Sequence, residues 1–377
     1  MILFFLTLGL FYCIIMLYFF TGIYRLPAVN PDLPNATLTV SVLVPARNEE
    51  AHIIRCLESL WQQSFPRDRF KVIVIDDHST DNTAELVEKY ISDKPNFELL
   101  RYQQNPVRTT FKKQALTFAL QQIDSEIVMT IDADSVASPQ WIEKMLGFYE
   151  PDTGMVAGLV TFLPESERGI FQKIQTLEFA GIVFCGAGAA GHRNPLICNG
   201  SNLSYRLQAF REAGGYRGNE FLPSGDDDLL LQNIHKNTSW KIKYSLDSAT
   251  INYTEPVYRF SDFINQRSRW ASKSLHYPKW WLFFIMLGIY VYYASLLVFL
   301  PATLLGLFPW QFYLAGLLLK MIPEALIISR ALSILGRSRL RRYFLPAQFF
   351  QIIYVLIVGF MGIFKKFNWK GVDNHAI

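Results

Sequence analysis

Apolar positions along this chain fall into two regimes. Residues 2–20, ILFFLTLGLFYCIIMLYFF, carry no charge and no proline, enough as a helix to cross a hydrocarbon core of about 30 Å. They lack the basic start and small-residue cleavage site of a signal peptide, so an uncleaved anchor over 1–24 is expected. Arg25 and a Pro/Asn/Asp-rich linker, PAVNPDLPN, follow. Near the other end, residues 281–308, 310–332 and 344–364 predict three more spans. The middle one is interrupted by Lys320, Pro323 and Glu324. Lys320 and Glu324 are four apart and share a helix face, which allows them to pair. Four spans are expected in all, in a C-terminal region of 280–364 with a short polar tail over 365–377.

Between the apolar ends the period changes. TVSVLVPA (39–46), FKVIVIDD (70–77), NFELLRY (96–102), SEIVMTIDAD (125–134) and GMVAGLVTF (154–162) read as strands. Helical stretches alternate with them at 49–61, 83–91, 112–123 and 140–149. Repeated βα units with solidly apolar strands predict an α/β domain over 36–258, its sheet mostly parallel and covered on both faces. Ligands in such sheets gather at the carboxyl ends of the strands.

Composition narrows the class. Of 377 residues 51% are apolar and 18% charged, and 30 are Phe, which excludes a disordered chain and a small disulfide scaffold. A net charge of +4 from 36 basic and 32 acidic residues is too mild to imply a nucleic-acid partner. Arg337, Arg339, Arg341 and Arg342 cluster between two apolar segments, where cations mark the cytoplasmic side. With four spans and a cytoplasmic domain, the last one would export Lys365, Lys366 and Lys370, against that bias. Cys13, Cys56, Cys185 and Cys198 show no metal-ligand spacing and read as free thiols.

Acids stand where chemistry is expected. One strand ends in Asp76-Asp77 and another in Asp132-Ala133-Asp134. Such carboxylates repel one another unless a cation sits among them, and a D-x-D pair offers oxygens to Mg2+ or Mn2+ beside phosphate and water. Turn formation is the plainer reading. No G-x-G-x-x-G follows the first strand and no P-loop occurs. In GDDDLLLQNI (225–234) three aspartates open a helix; capping accounts for one, and another is available as a general base. In FINQRSRWASK (263–273), within an expected interfacial helix over 259–279, Gln266, Arg269 and Trp270 share a face. They suit a sugar or diphosphate, or else anchor the helix among lipid headgroups.

Taken together, VLVPARNEE (42–50), IDDHSTD (75–81), DAD (132–134), GDD (225–227) and QRSRW (266–270) resemble the membrane-embedded family 2 glycosyltransferases, the group of cellulose, chitin and hyaluronan synthases. The resemblance covers about residues 36 to 275 and implies a nucleotide-sugar-binding domain of the GT-A type. It implies that Asp76 or Asp77 holds the base of a UDP- or GDP-linked donor, with Glu49 and Asp132 also on the donor. Asp134, with Asp132, would hold the metal. Asp227 would be the catalytic base, Asp226 being the alternative because the third aspartate shifts the alignment by one. Gln266 and Arg269 would bind the donor diphosphate and Trp270 the acceptor sugar, with Asn202 and Arg206 lining the acceptor pocket. The family's Gly-Lys and Ala-x-Asn-x-Gly before DAD are missing; here Phe111-Lys112-Lys113-Gln114 stands instead, and Lys113 is expected to reach the phosphates.

The expected function is inverting, metal-dependent sugar transfer to a lipid or lipid-linked glycan at a bacterial inner or cell membrane, with the catalytic domain cytoplasmic. Two alternatives stay open. One is a processive polysaccharide synthase, working as a homo-oligomer or with an export partner; the other is a non-catalytic nucleotide-sugar-binding protein or transporter.

Overall fold

The computed structural model describes residues 1–28, 38–103, 111–217, 225–273, 277, 279–364, 367–369 and 372–374. Most of the expected linker, and Lys365, Lys366 and Lys370, lie outside them. The chain forms two compact units, one α/β and one helical.

The α/β unit comprises Leu26–Pro164 and Ala190–Glu255. Its principal strands are β1 (Val40–Ala46), β2 (Phe70–Asp77), β3 (Phe97–Tyr102), β4 (Ile127–Thr130), β6 (Thr153–Ala157), β8 (Leu203–Arg206) and β9 (Lys241–Tyr244). They form one sheet in the order β3-β2-β1-β4-β8-β6-β9. β5 (Val136–Ala137), β7 (Val160–Phe162) and β10 (Asn252–Thr254) form a small second sheet. The helices are α2 (Ile53–Trp61), α3 (Thr83–Ile91), α4 (Phe111–Leu120), α5 (Trp141–Leu146), α7 (Leu207–Glu212) and α8 (Asp228–Asn237).

β1 is buried along nearly its whole length because it is central and covered on both faces. Val42, Val44, Ile53, Leu57, Val72, Val74, Met129 and Trp141 share one core, where burying a Val, Leu or Ile stabilises the fold by about 1.5–3 kcal/mol relative to exposure. β1 runs parallel to β2 and β4, and β2 to β3, whereas β8 is antiparallel to both β4 and β6. The register then dictates the site. Ala46 pairs with Asp76 and Thr130 with Leu203, so the loops after β1, β2 and β4 and the loop before β8 open on the same sheet edge.

Two expected strands are shorter than their apolar runs. β4 stops at Thr130, since Asp132–Asp134 turn away, and 154–162 breaks at Gly158 into β6 and β7. A Cβ at Gly158 would lie 2.4 Å from the Asn202 amide oxygen.

The helical unit takes in Met1–Arg25, Glu165–Ala189 and Pro256–Ile377. It contains α1 (Ile2–Ile23), α6 (Ile170–Gly191), α9 (Phe260–Ser272), α10 (Trp281–Leu304), α11 (Trp310–Ile334) and α12 (Phe344–Phe364). Five helices among the described residues are long and apolar enough to cross a membrane, against the four expected. The fifth is α6, which lies inside the 36–258 stretch and packs with the helical unit. Its Ile174 and Leu177 join Ile328, Leu332 and Ala347. Gly188 lets the backbones of α6 and α1 meet, as a Cβ there would fall 2.1 Å from the Phe19 carbonyl oxygen.

α11 runs unbroken through Pro323, and its ionisable pair is buried in a complete polar cluster. Lys320 Nζ lies 3.0 Å from Glu324 Oε1 and donates to Gln351 Oε1 at 2.9 Å and to Gln348 Oε1. Gln348 Nε2 donates to Glu324 Oε2 at 2.7 Å, and the Tyr293 and Tyr12 hydroxyls donate to Glu324 Oε1. Four helices thereby satisfy one ion pair, the condition under which such groups are tolerated in an apolar bundle.

Candidate active site

The loops after β1 and β2 are cross-linked by their own polar side chains. Asn48 N donates to Ser79 Oγ at 3.0 Å, Thr80 N to Asn48 Oδ1 at 2.8 Å, and Glu49 N to Thr83 Oγ1 at 2.8 Å. Glu50 N donates to Asp81 Oδ2 at 3.1 Å, and Asn82 N and Nδ2 return to Glu50 Oε2 at 3.1 and 2.9 Å. Burial raises the Asp81 carboxyl, but the Thr83 hydroxyl and amide, both donating to Oδ1, and the Glu50 amide outweigh it and hold the carboxyl below the ordinary carboxylate range. The edge beside Asp76 and Asp77 is therefore preorganised. Asp76 is buried, with one carboxylate oxygen lacking a hydrogen-bond partner among the described residues. Such an orphan acceptor is costly unless a donor completes it. Burial pushes the Asp77 carboxyl up, opposed by His78, whose Nδ1 is 2.9 Å away, and by the Arg47 guanidinium.

The DAD turn is fixed from below and from the side. Cys56 Sγ donates to the Asp132 carbonyl at 3.6 Å. Burial raises the Cys56 thiol, and the nearby carboxylates of Asp134, Asp132 and Glu49 raise it further, so it stays protonated. Ser201 Oγ donates to Ser135 Oγ at 2.7 Å, Ser135 Oγ to Asp134 Oδ1 at 3.2 Å, and Thr130 Oγ1 to the Gly200 carbonyl at 2.7 Å. All four cysteines are free thiols.

The GDD acids reach the same place from α8. Gly225 has φ +90°, and a Cβ there would also meet Leu229 at 2.6 Å, so the motif requires glycine at its first position. Asp227 caps α8, Oδ1 accepting from Asp228 N at 2.7 Å, while its Oδ2 accepts from Gly200 N at 3.3 Å. The third aspartate, Asp228, is buried and accepts from Cys198 N at 3.1 Å. Asp226 joins the DAD turn through Lys112, whose Nζ is 2.7 Å from Asp132 Oδ1 and 2.8 Å from Asp226 Oδ2. Burial alone would lower the Lys112 ammonium, but the two carboxylates outweigh it and hold it above the usual lysine range.

Lys112 faces the acids, and its neighbour Lys113 is buried, 3% exposed. Local spacing does not distinguish two adjacent lysines at a helix start. Asn202 and Arg206 also take structural places. Asn202 is fully buried; its Oδ1 accepts from Trp141 Nε1 at 2.8 Å, and its Nδ2 donates to the carbonyls of Leu159 and Thr250 at 2.7 and 2.6 Å. Arg206 Nε donates to the Thr153 carbonyl at 2.9 Å and NH2 to that of Glu150 at 3.2 Å. These bonds tie both side chains into the fold.

Gln266, Arg269 and Trp270 belong to α9 of the helical unit. What fixes that helix is Arg267, 3% exposed, whose Nε donates to Glu178 Oε1 at 2.9 Å and NH2 to Oε2 at 2.5 Å. Tyr354 OH donates to Glu178 Oε1 at 2.9 Å. The Arg267 guanidinium lies 4.1 Å from the Trp270 ring centroid, and Trp270 also meets Phe179 of α6. The second motif position is thus the buried anchor, while Gln266, Arg269 and Trp270 are half-buried beside it.

Among the described residues no group of three or more His, Cys, Asp or Glu is arranged to hold a metal by itself. Two carboxylates from different elements do converge on one cation, the Lys112 ammonium. This donor set fits a divalent ion that draws its remaining oxygens from a phosphorylated ligand and water.

A mixed sheet, preorganised loops at its carboxyl edge and two acidic motifs joined across that edge define a GT-A glycosyltransferase fold. Residues 41–213 match Glycosyl transferase family 2, and the chain carries a domain of that family. It shares its fold with the mannosyltransferase PcManGT from Pyrobaculum calidifontis, solved with GDP-Man and Mn2+, at a TM-score of 0.59 and 17% identity over 96% of this chain and 98% of that one. It is 26% identical to the beta-monoglucosyldiacylglycerol synthase of Nostoc sp. over 62% of this chain and 48% of that protein. It is also 34% identical to the poly(ribitol-phosphate) beta-N-acetylglucosaminyltransferase TarS of Staphylococcus aureus over 29% of this chain and 18% of that protein. The matched stretches thus span less than half the length of either relative.

Proposed function

We propose that this protein transfers a sugar from a UDP- or GDP-linked donor to a lipid or lipid-linked glycan held at the membrane, with inversion at the anomeric carbon. The observation that carries this reading is the meeting of Asp132 and Asp226 on Lys112 beside Asp227. Nucleotide base recognition falls to Asp76 and Asp77, on a rim already ordered by the Asn48–Thr80 and Glu49–Thr83 bonds. Asp134, with Asp132, would hold Mg2+ or Mn2+ together with oxygens of the donor phosphates and water. When bound, the metal neutralises charge on the leaving diphosphate. Lys112 shares that charge. Asp227, oriented by its bonds to Asp228 N and Gly200 N, takes the proton from the acceptor hydroxyl. The hydroxyl oxygen bonds to C1 as the bond from C1 to the phosphate oxygen breaks, and the nucleoside diphosphate departs with that electron pair.

A lipid acceptor is favoured by the five apolar helices and by the likeness to a glycolipid synthase. The cluster Arg337–Arg342 at the α11–α12 connection supports a cytoplasmic α/β unit. The test incubates membranes containing the protein with a panel of UDP- and GDP-sugars and Mg2+ or Mn2+. Release of nucleoside diphosphate, with a sugar-bearing lipid found by mass analysis, is expected. No release across the panel sinks the catalytic reading, and a long glycan instead of a modified lipid selects the polysaccharide synthase.

A further inference from the structure

We propose that Lys112 is the built-in counter-ion of the strand-end acids, exchanged for the divalent metal when the donor binds. The proposal rests on the catalytic reading above. Asp132 comes from the turn after β4 and Asp226 from the approach to α8, yet their oxygens sit 2.7 and 2.8 Å from one ammonium. Without a cation there, two carboxylates on separate elements would push those elements apart. With Lys112 in place they are drawn together before any ligand arrives.

The ammonium and a metal compete for the same oxygens. Asp132 Oδ1 and Asp226 Oδ2 are poorer ligands for a divalent ion while each lies within hydrogen-bond distance of Lys112 Nζ, because the ammonium repels the incoming cation and occupies lone pairs it would use. Gly200 backs the pair closely: a Cβ there would stand 3.1 Å from Asp226 Oδ2 and 3.4 Å from Nζ. One positive charge leaves the acid pair with net negative charge, whereas a dication neutralises it, so the exchange is favourable once the displaced ammonium has another anion to face. The donor diphosphate is that anion. The site is thereby closed to free metal and opens to metal accompanied by a nucleotide.

The test needs no catalysis. Mn2+ is titrated into the full-length protein in detergent, and free Mn2+ is followed by electron paramagnetic resonance, without nucleotide and then with UDP or GDP. Lys112→Gln is expected to bind Mn2+ alone at least about tenfold more tightly than the unmodified protein, and Lys112→Arg no more tightly. Nucleotide should bring the two affinities to within about threefold, as the ammonium has then left the acids. Equal or weaker Mn2+ binding by Lys112→Gln overturns the proposal, and a gap that nucleotide leaves unchanged overturns the release step. Should Lys112→Gln be unstable, Mn2+ alone should raise its thermal midpoint well beyond any rise in the unmodified protein; equal shifts overturn the exchange. A protein that releases no nucleoside diphosphate from any donor defeats the catalytic reading, but the metal titration without donor remains a separate result.

Discussion

The indole nitrogen of Trp141 donates to the amide oxygen of Asn202 across 2.8 Å in the interior of the α/β unit. The same amide closes two backbone carbonyls, at Leu159 and Thr250, so one side chain joins α5 to the loops beside β7 and β10. Asn202→Ala should therefore lower stability by about 2–4 kcal/mol, since it strands a buried N–H and two buried carbonyls. Thermal unfolding checks the loss. Folded Asn202→Ala should keep its acceptor KM if the amide serves the fold alone; a selective rise in KM with an unchanged melting midpoint would assign it the acceptor role.

The two GDD acids should separate by function. Asp227→Asn is expected to lower kcat by at least about 100-fold, as loss of a general base does, with nucleotide binding retained. Asp226→Asn should instead weaken metal and donor binding, because Asp226 faces Lys112 and Asp132. Single-turnover kinetics with calorimetric nucleotide titration distinguish them, and swapped phenotypes would move the base to Asp226.

Asp77 carries a pH prediction. Its carboxyl is raised by burial, so the folded protein takes up a proton more readily there than the unfolded chain, whose value is near 3.8. The contribution to stability is full below that unfolded value and is lost as pH rises through the folded one. Asp77→Asn should flatten the fall in melting midpoint from acidic to neutral pH, and bind nucleotide less well. An unchanged pH profile would count against this assignment.

In the helical unit, Lys320→Met alone should cost about 3–5 kcal/mol, since it leaves Glu324 buried without its cation. Lys320→Met with Glu324→Leu should cost less than the two single changes summed. Unfolding in mixed detergent micelles measures both, and strict additivity would show that the pair is not coupled.

Where local pattern decides structure, the chain was readable. FKVIVIDD is β2 and TAELVEKYI is α3 at the bounds expected from periodicity, because solid β-branched runs and a single apolar helix face have no local competitor. The acidic turns were readable too, since Asp76, Asp77, Asp132 and Asp134 follow strands whose ends must share an edge. α6 was not legible. Gln175, Glu178 and Lys173 interrupt its apolar run, and what makes it an interior helix is distant: Gln175 Nε2 donates to the Val257 carbonyl at 2.9 Å, and Glu178 takes Arg267 and Tyr354. The partners of Asn202 and Arg206 were hidden for the same reason. A polar residue near a motif looks available until its partners elsewhere in the chain are known.

α6 has a practical result for anyone cutting this protein apart. The catalytic fold is not one continuous length of chain: it stops at Pro164, and Ala190 resumes it after a helix that belongs to the other unit. A soluble fragment trimmed at 36 and 258 would carry that helix into water without Ile328, Arg267 or Tyr354 to cover it, and aggregation is the expected fate. Replacing residues 165–189 with a short polar linker is the more promising route to a water-soluble domain. The same interruption ties the inheritance of the two units together, because a recombination event that moves one intact must also move a part of the other.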